Sequence, residues 1–339
     1  MSDKIKIGVV GVGHLGSMHV KQLKEVDEAI ISGIFDTNIQ RSEEIYKQYG
    51  VLSFSSYPEL LEKVDAVSIV TPTKFHLEHA KQALMSNRHV FIEKPITETL
   101  DEADELIRIG KENNLKIQVG HIERFNPAII ALESLKINPL FIESHRLSSF
   151  DVRGTDVAVV LDLMIHDIDL ILSFVKSPVK EVHASGASVI SQKEDIANCR
   201  IEFENGCVAN VTASRISAKK MRKMRFFQPD AYISIDFLEG ASEIYYIQSD
   251  DLQLPDTGLA FSLGQIEKGT EKKNIRYAKL SKKDINPLRY ELQLFCKAII
   301  EDKDPPITAQ EGRRALRIAN LISESIKKHT NFVKQNWEL

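Results

Sequence analysis

The sequence predicts an α/β protein of two domains, a doubly wound parallel sheet followed by an α/β domain built on an open, mostly antiparallel sheet. Three observations carry that expectation. Short β-rich runs alternate with amphipathic stretches through residues 4–122, a glycine turn closes the first run, and after Pro127 strand follows strand across short turns. At 339 residues the chain is longer than one hydrophobic core usually serves. The expected domains are residues 1–122 and 123–339.

Strand and helix signals fix the first domain in order. Ile5–Val10 is an apolar run that ends in glycine, and further strands are expected at Ala29–Phe35, 66–70, 89–92 and 116–119, where β-branched and aromatic residues concentrate. Between them, residues 17–26, Ile39–Tyr49, 75–86 and 100–113 set apolar side chains three and four apart, the spacing of a helix face. The period then changes. A helix is expected over 159–174, followed by strands at 179–190, Ile196–Phe203, 207–216, 222–227 and 232–237, with Asn205-Gly206 as a turn signal. Helices return at 287–301, with Asn286 ahead of it as a cap, and at 308–328, where Thr308 and Glu311 form a capping-box pair. The stretch between Asp250 and Lys272 shows neither period and reads as a loop.

Composition excludes several classes. A net charge of -4, with 43% hydrophobic and 27% charged residues, describes a soluble globular chain and gives no footing for nucleic acid. No apolar run approaches a membrane span, and the first strand starts too early to leave room for a signal peptide, so a cytoplasmic location is expected. Cys199, Cys207 and Cys296 have no C-x-x-C spacing and read as reduced packing residues. His76 and His79 have metal-like spacing without a third ligand group, and no metal is expected. The basic run Lys219–Arg225 spans a turn between strands and reads as a solvated face.

Chemistry concentrates at two places in the first domain. In Gly11-Val12-Gly13-His14-Leu15-Gly16 the glycines permit a tight turn, a close backbone approach to a pyrophosphate and close helix packing, while the following helix offers free amides. Asp36 ends the next strand, where a carboxylate accepts ribose hydroxyls and repels a 2′-phosphate. The cofactor expected is therefore NAD, with Arg41 leaving NADP open. The other place is Lys94, in Val90-Phe91-Ile92-Glu93-Lys94-Pro95, a lone ammonium where a buried strand meets a proline. Together they point to a nicotinamide dinucleotide with a lysine beside its ring.

The glycines with His19, Thr71-Pro72, Glu93-Lys94-Pro95 and Asp162-x-x-x-His166-Asp167-x-Asp169 resemble the glucose-fructose oxidoreductase, inositol dehydrogenase and MocA family. The resemblance covers essentially the whole chain. It implies a Rossmann domain joined to an α/β domain, oxidation of a sugar or cyclitol hydroxyl with a nicotinamide cofactor, and Lys94, Asp162 and His166 at the catalytic positions. The cofactor set it implies is Gly11, Gly13, His14, Leu15, Gly16, Asp36, Thr37, Arg41, Thr71, Pro72, His76, Glu93 and Lys94. The chemistry agrees: a hydroxyl proton must be accepted as hydride leaves, and histidine, with an ordinary pKa of about 6.5, suits that task. Asp162 lies one turn before His166 and can orient the ring or contact a hydroxyl. Lys94 would stabilise the reacting oxygen, and either Lys94 or His166 serves as base. Polar groups among the apolar residues of that helix need a use or a partner.

Gly120-His121-Ile122-Glu123-Arg124-Phe125-Asn126-Pro127, with Asn286-Pro287-Leu288-Arg289-Tyr290-Glu291-Leu292 downstream, resembles the branch of that family that oxidises the 3-hydroxyl of UDP-N-acetylhexosamines. The substrate implied is UDP-N-acetylglucosamine in the cleft between domains, its keto product passing to an aminotransferase. Substrate contacts are expected from Lys94, Arg124, Phe125, Asn126, Asp162 and His166, although Arg124 reads equally as the partner of a nearby acid. Where many relatives have a glycine cluster before the helix, this chain has Thr155-Asp156-Val157-Ala158-Val159-Val160, which leaves the shape of the sugar pocket open. A dehydrogenase of a free sugar or polyol such as myo-inositol, and a non-catalytic NAD-binding regulator, are the alternatives. Ile201, Phe203, Val208 and Val211 suggest association of sheet faces into a homodimer or homotetramer.

Overall fold

The computed structural model describes residues 4–150, 157–247, 259–268, 271–282 and 284–336. In chain order the first elements are β1 (Ile5–Val10), α1 (His14–Leu23), β2 (Ala29–Phe35), α2 (Ile39–Tyr49), α3 (Tyr57–Leu61), β3 (Ala66–Ile69), α4 (His76–Met85), β4 (His89–Glu93), α5 (Leu100–Glu112) and β5 (Ile117–Gly120). There follow α6 (Pro127–Ile130), β6 (Phe141–Leu147), a π turn (Val160–Met164) running into α7 (Ile165–Phe174), and β7 (Val179–Ala187), β8 (Ile196–Phe203), β9 (Val208–Ser214), β10 (Met221–Phe227), β11 (Ala231–Asp236) and β12 (Ala241–Ile247). The chain closes with β13 (Leu259–Lys268), β14 (Glu271–Leu280), α8 (Pro287–Ile300) and α9 (Ala309–Asn336).

Two compact units result, Met1–Ile122 with Asn286–Leu316, and Glu123–Ile285 with Arg317–Leu339. The first contains the five-stranded parallel sheet in the order β2-β1-β3-β4-β5, whose strands β1, β3, β4 and β5 are buried almost throughout, as parallel strands between helices must be, while the edge strand β2 is partly exposed. Residues 286–316 belong here and not to the expected 123–339 domain. The reason is packing: Leu288, Leu292, Phe295 and Cys296 of α8 lie in one core with Ile5, Ile7, Val20, Leu23 and Phe91, and Phe295 meets Phe91 edge-on at 5.8 Å.

In the second unit the described strands form an open sheet, β13-β14-β12-β11-β10-β6-β9-β8-β7, antiparallel except for the β6–β9 pair. The stretch expected as a loop holds β13 and the start of β14 in its described part, a hairpin whose polar composition hides its alternation. β6 alternates buried and half-exposed, yet its inward set includes Ser144 and Arg146, so the usual apolar signal is broken. One face of the sheet is dry. Ile201, Phe203 and Val211 point into it and are buried, whereas Val208 lies on the other face, so the four fall on both alternation sets. Opposite Val208 begins an aromatic ladder: Phe141, Phe227, Tyr232, Tyr245, Tyr277 and Phe261 are successive cross-strand partners. Ring centroids along the first five stand 5.0–5.8 Å apart, Tyr245 is 38% exposed and Phe261 52%.

All three cysteines are free and buried, and burial pushes the Cys199 and Cys296 thiols up to about 12, as packing residues require. In the basic run, Lys223 pairs with Asp236 and Arg225 with Glu143 across strands. Among the described residues no helix is long and apolar enough to cross a membrane.

Candidate active site

In the first unit the site grows from the turn after β1. Gly11 has φ +82°, and a Cβ there would also sit 2.8 Å from the Val70 carbonyl oxygen, so both conformation and space require glycine. A Cβ on Gly16 would fall against the Gly11 carbonyl, which is how α1 comes so close to the sheet. Gly13 differs: nothing lies within 4 Å of its notional Cβ, and it heads α1 with no side-chain cap. That leaves open space beside the unsatisfied first amides of a helix, with His14 and Leu15 exposed in its first turn.

Asp36 faces the same turn. Its carboxylate accepts from Val12 N at 2.7 Å and Asn38 N at 2.8 Å, so each oxygen keeps a lone pair for a ribose hydroxyl. Arg41 donates Nε to the Val12 carbonyl at 2.8 Å and pairs with Glu44 at 2.7 Å, which uses the guanidinium on the fold. A cavity of about 230 Å³ opens here, lined by Gly11, Gly13, Asp36, Thr37 and Pro72 with the rings of Phe75 and His79. An anionic rim, apolar walls and two rings suit an adenosine moiety, and the open backbone at Gly13 suits its phosphates; the residues fit a dinucleotide. Asp36→Ala should raise the Michaelis constant for NAD roughly 10–100-fold, given about 1.5–3 kcal/mol for hydrogen bonds to a charged group, and relax discrimination against NADP. Steady-state kinetics with both cofactors check this; a parent enzyme that already prefers NADP would refute the role of Asp36.

At the end of β4, Glu93 and Lys94 lead into Pro95 through a cis peptide bond. Burial would raise the Glu93 carboxyl, but the hydrogen bond from His19 and the charge of Lys94 outweigh it and hold its pKa below the ordinary value. His76 is buried with its ring nitrogens 2.9 Å from the carbonyls of Pro95 and Thr71. Burial draws its pKa down against the pull of those carbonyls, and a neutral ring donates to only one of them at a time. It therefore packs between Thr71-Pro72 and the lysine turn and hydrogen-bonds one of them at a time. His79 Nδ1 likewise lies 2.8 Å from the Phe75 carbonyl.

In the second unit Asp162 and His166 lie where the π turn Val160–Met164 passes into α7, four residues apart and so nearly one turn. Each neighbouring acid meets an arginine. Arg215, buried, stands 3.6 Å from Asp162 and donates to the Val157 carbonyl at 2.6 Å. Arg146 grips Asp167 through Nε and Nη2 at 2.8 and 3.1 Å and reaches Glu123 at 2.7 Å. Burial would depress the Arg146 guanidinium, but Asp167 and Glu123 raise its pKa well above the ordinary value, so it stays charged. The third pair is Arg124 with Asp169, two-pronged at 2.7 and 2.6 Å.

That pair matches one of the two readings of Arg124, the partner of a nearby acid. Arg124 is spent on Asp169, whose side chain is almost fully buried, and is a brace for α7 before it is an anion contact. Phe125 is buried, and Asn126 caps α6 at Ala128 N while its amide reaches Glu123 and the Phe237 carbonyl. The Arg-Phe-Asn-Pro run thus has a framework role in the fold. Arg146 and Arg215 went unseen in the sequence, where the unbalanced acids of residues 162–169 were their sole trace. Of the segment that departs from the glycine cluster, Thr155 and Asp156 lie outside the described residues.

Comparison with known proteins follows the same division. Residues 5–121 match the model of the GFO_IDH_MocA oxidoreductase family, NAD-binding Rossmann fold, and residues 146–233 match the GFO/IDH/MocA C-terminal domain. The chain is 40% identical over 243 residues to UDP-N-acetylglucosamine 3-dehydrogenase from Acidithiobacillus ferrooxidans, covering 71% of this chain and 77% of that protein. A solved structure of that enzyme, GnnA, superposes with a TM-score of 0.83 at 33% identity, covering 96% of this chain and 98% of the other. Myo-inositol 2-dehydrogenase from Thermotoga maritima is 25% identical over 96% of this chain and 97% of its own length.

Proposed function

Because the chain belongs to the Gfo/Idh/MocA oxidoreductases, whose first domain is an NAD-binding Rossmann fold, we propose that it oxidises the 3-hydroxyl of UDP-N-acetylglucosamine to the 3-keto sugar. That it is an oxidoreductase acting on a CH–OH group follows from the family itself. The choice of sugar is carried by one observation, the likeness to UDP-N-acetylglucosamine 3-dehydrogenase along nearly the full length of both chains. A 3-keto amino sugar is a substrate for transamination, so an aminotransferase is the enzyme that would use the product.

Oxidation removes a hydride from carbon and a proton from oxygen. NAD, when bound, takes the hydride. His166 accepts the hydroxyl proton, and Asp162, nearly one turn earlier, orients the ring or holds a second hydroxyl of the sugar. Arg215 beside Asp162 keeps that carboxylate fixed. Lys94 donates to the reacting oxygen and stabilises its alkoxide character as the C–H bond breaks.

One observation favours a second reading. With Arg124 committed to Asp169, the cation expected for a diphosphate is already paired, and a neutral polyol such as myo-inositol needs none. Calorimetry on the NAD-loaded enzyme separates the two. UDP-N-acetylglucosamine should bind, and its affinity should fall as salt rises, whereas that of a neutral polyol should not. Tight binding of myo-inositol with no heat from the UDP-sugar would replace the sugar-nucleotide reading by the polyol one.

For the open sheet face, the same reading places a second copy of the chain over the aromatic ladder. A half-exposed stripe of Phe and Tyr across several strands is an apolar surface of the kind that association covers. Light scattering should give at least twice the mass of one chain at micromolar concentration, and Tyr245→Glu should reduce it. A monomeric parent protein would show that the face is left to solvent.

A further inference from the structure

We propose that Ser68, His19 and Glu93 form a buried relay that positions Lys94 and ties it to the phosphate-facing helix α1. This rests on the reading of Lys94 as the group at the reacting hydroxyl. His19 lies within α1 and has no exposed surface. Its Nε2 is 3.1 Å from Glu93 Oε1 and its Nδ1 2.9 Å from Ser68 Oγ. The partners set the roles in a neutral ring: a carboxylate only accepts, so Nε2–H donates to Glu93, and Nδ1 accepts a hydrogen bond from the Ser68 hydroxyl. Glu93 Oε2 accepts in turn from Lys94 N at 3.3 Å. Phe91 closes the ring's flank edge-on at 5.5 Å.

Neighbouring strands are shaped around this array. A Cβ on Gly120 of β5 would stand 2.8 Å from Glu93 Oε1, so a larger residue there would collide with the carboxylate. Ser68, in buried β3, supplies the hydroxyl that meets the ring. An imidazole and a carboxylate buried together generally stabilise a fold no more than apolar side chains of equal volume do. Here they contribute a fixed negative charge at the base of Lys94, anchored to the helix whose first amides face the cofactor's phosphates. His19 and Glu93 are positioning residues: neither needs to touch the substrate.

The test compares Glu93→Gln, His19→Gln and His19→Leu with Lys94→Ala in the full-length enzyme. Glu93→Gln should lower kcat by up to about 10²-fold, the scale of a small misplacement at the reacting centre, with the Michaelis constant for NAD and the melting temperature near those of the parent. The primary deuterium isotope effect on kcat, measured with substrate labelled at the oxidised carbon, should rise as hydride transfer becomes limiting. His19→Gln, which keeps a donor for Glu93, should retain more turnover than His19→Leu, and this ratio decides the matter if Glu93→Gln fails to fold. Parent-like kcat and isotope effect in Glu93→Gln, or equal turnover in the two His19 variants, would overturn the relay while Lys94→Ala stays inactive. Parent-like turnover in Lys94→Ala would instead overturn the reading of Lys94, and the relay with it.

Discussion

Alanine at Lys94 or at His166 is expected to lower turnover by a factor on the order of 10²–10⁴ with little change in NAD affinity. Both side chains are assigned to the reacting hydroxyl and the cofactor to Gly11, Gly13 and Asp36, so loss of either should appear in kcat and not in cofactor binding. The pH profile separates their roles. If His166 is the base, His166→Ala should lose the acid limb of the kcat profile, because the group that must be unprotonated is gone. Near-normal turnover of His166→Ala across pH would move the base to Lys94.

Arg146→Met should destabilise the second unit by about 3–5 kcal/mol, the usual penalty for removing one partner of a buried ion pair. Arg146 is almost fully buried and joins Asp167 of α7 to Glu123, so methionine leaves two acids without their shared counter-charge. Arg222, 3.7 Å from Glu123, compensates little at that distance. Faster hydrogen exchange in β6 and α7, with exchange in β1–β5 unchanged, is the readout. Adding Asp167→Asn and Glu123→Gln should recover much of the loss. An Arg146→Met protein as protected as its parent would mean that the acids are held by other groups.

What the sequence made legible was local. The strand, glycine turn and Asp36 lie within a few tens of residues, and their geometry is dictated by backbone sterics and short-range hydrogen bonds. The ends of α2 and α8 were readable for the same reason. Long-range partners were not. Three acids between residues 162 and 169 announced a need for cations, but Arg146 comes from β6 and Arg215 from just past the end of β9, neighbours that only the sheet register brings together. Arg124 was left between two readings because a cation beside an aromatic looks alike whether it meets a ligand or a buried aspartate. The sheet faces were read in part: Ile201, Phe203 and Val211 lie inside and Val208 outside, on both alternation sets, but the outward aromatic and partly hydroxylated stripe emerges only from the register of the whole sheet. The π turn at Asp162 gave no warning, since four-residue spacing suits an α-helix equally well.

The membership of residues 286–316 in the first unit bears on how the molecule is made. Translation delivers β1–β5 early, yet α8, with Leu288, Leu292 and Phe295, emerges only after the whole second sheet has left the ribosome. Until then the flank of β1 and α1 that those side chains cover stays wet, and the nascent first half is a candidate for chaperone capture. The second sheet is synthesised without interruption between the two halves of its neighbour and can close its hairpins as they appear. Joining the last contacts of the first unit across so long an intervening sequence makes its completion late by construction and not by chemistry.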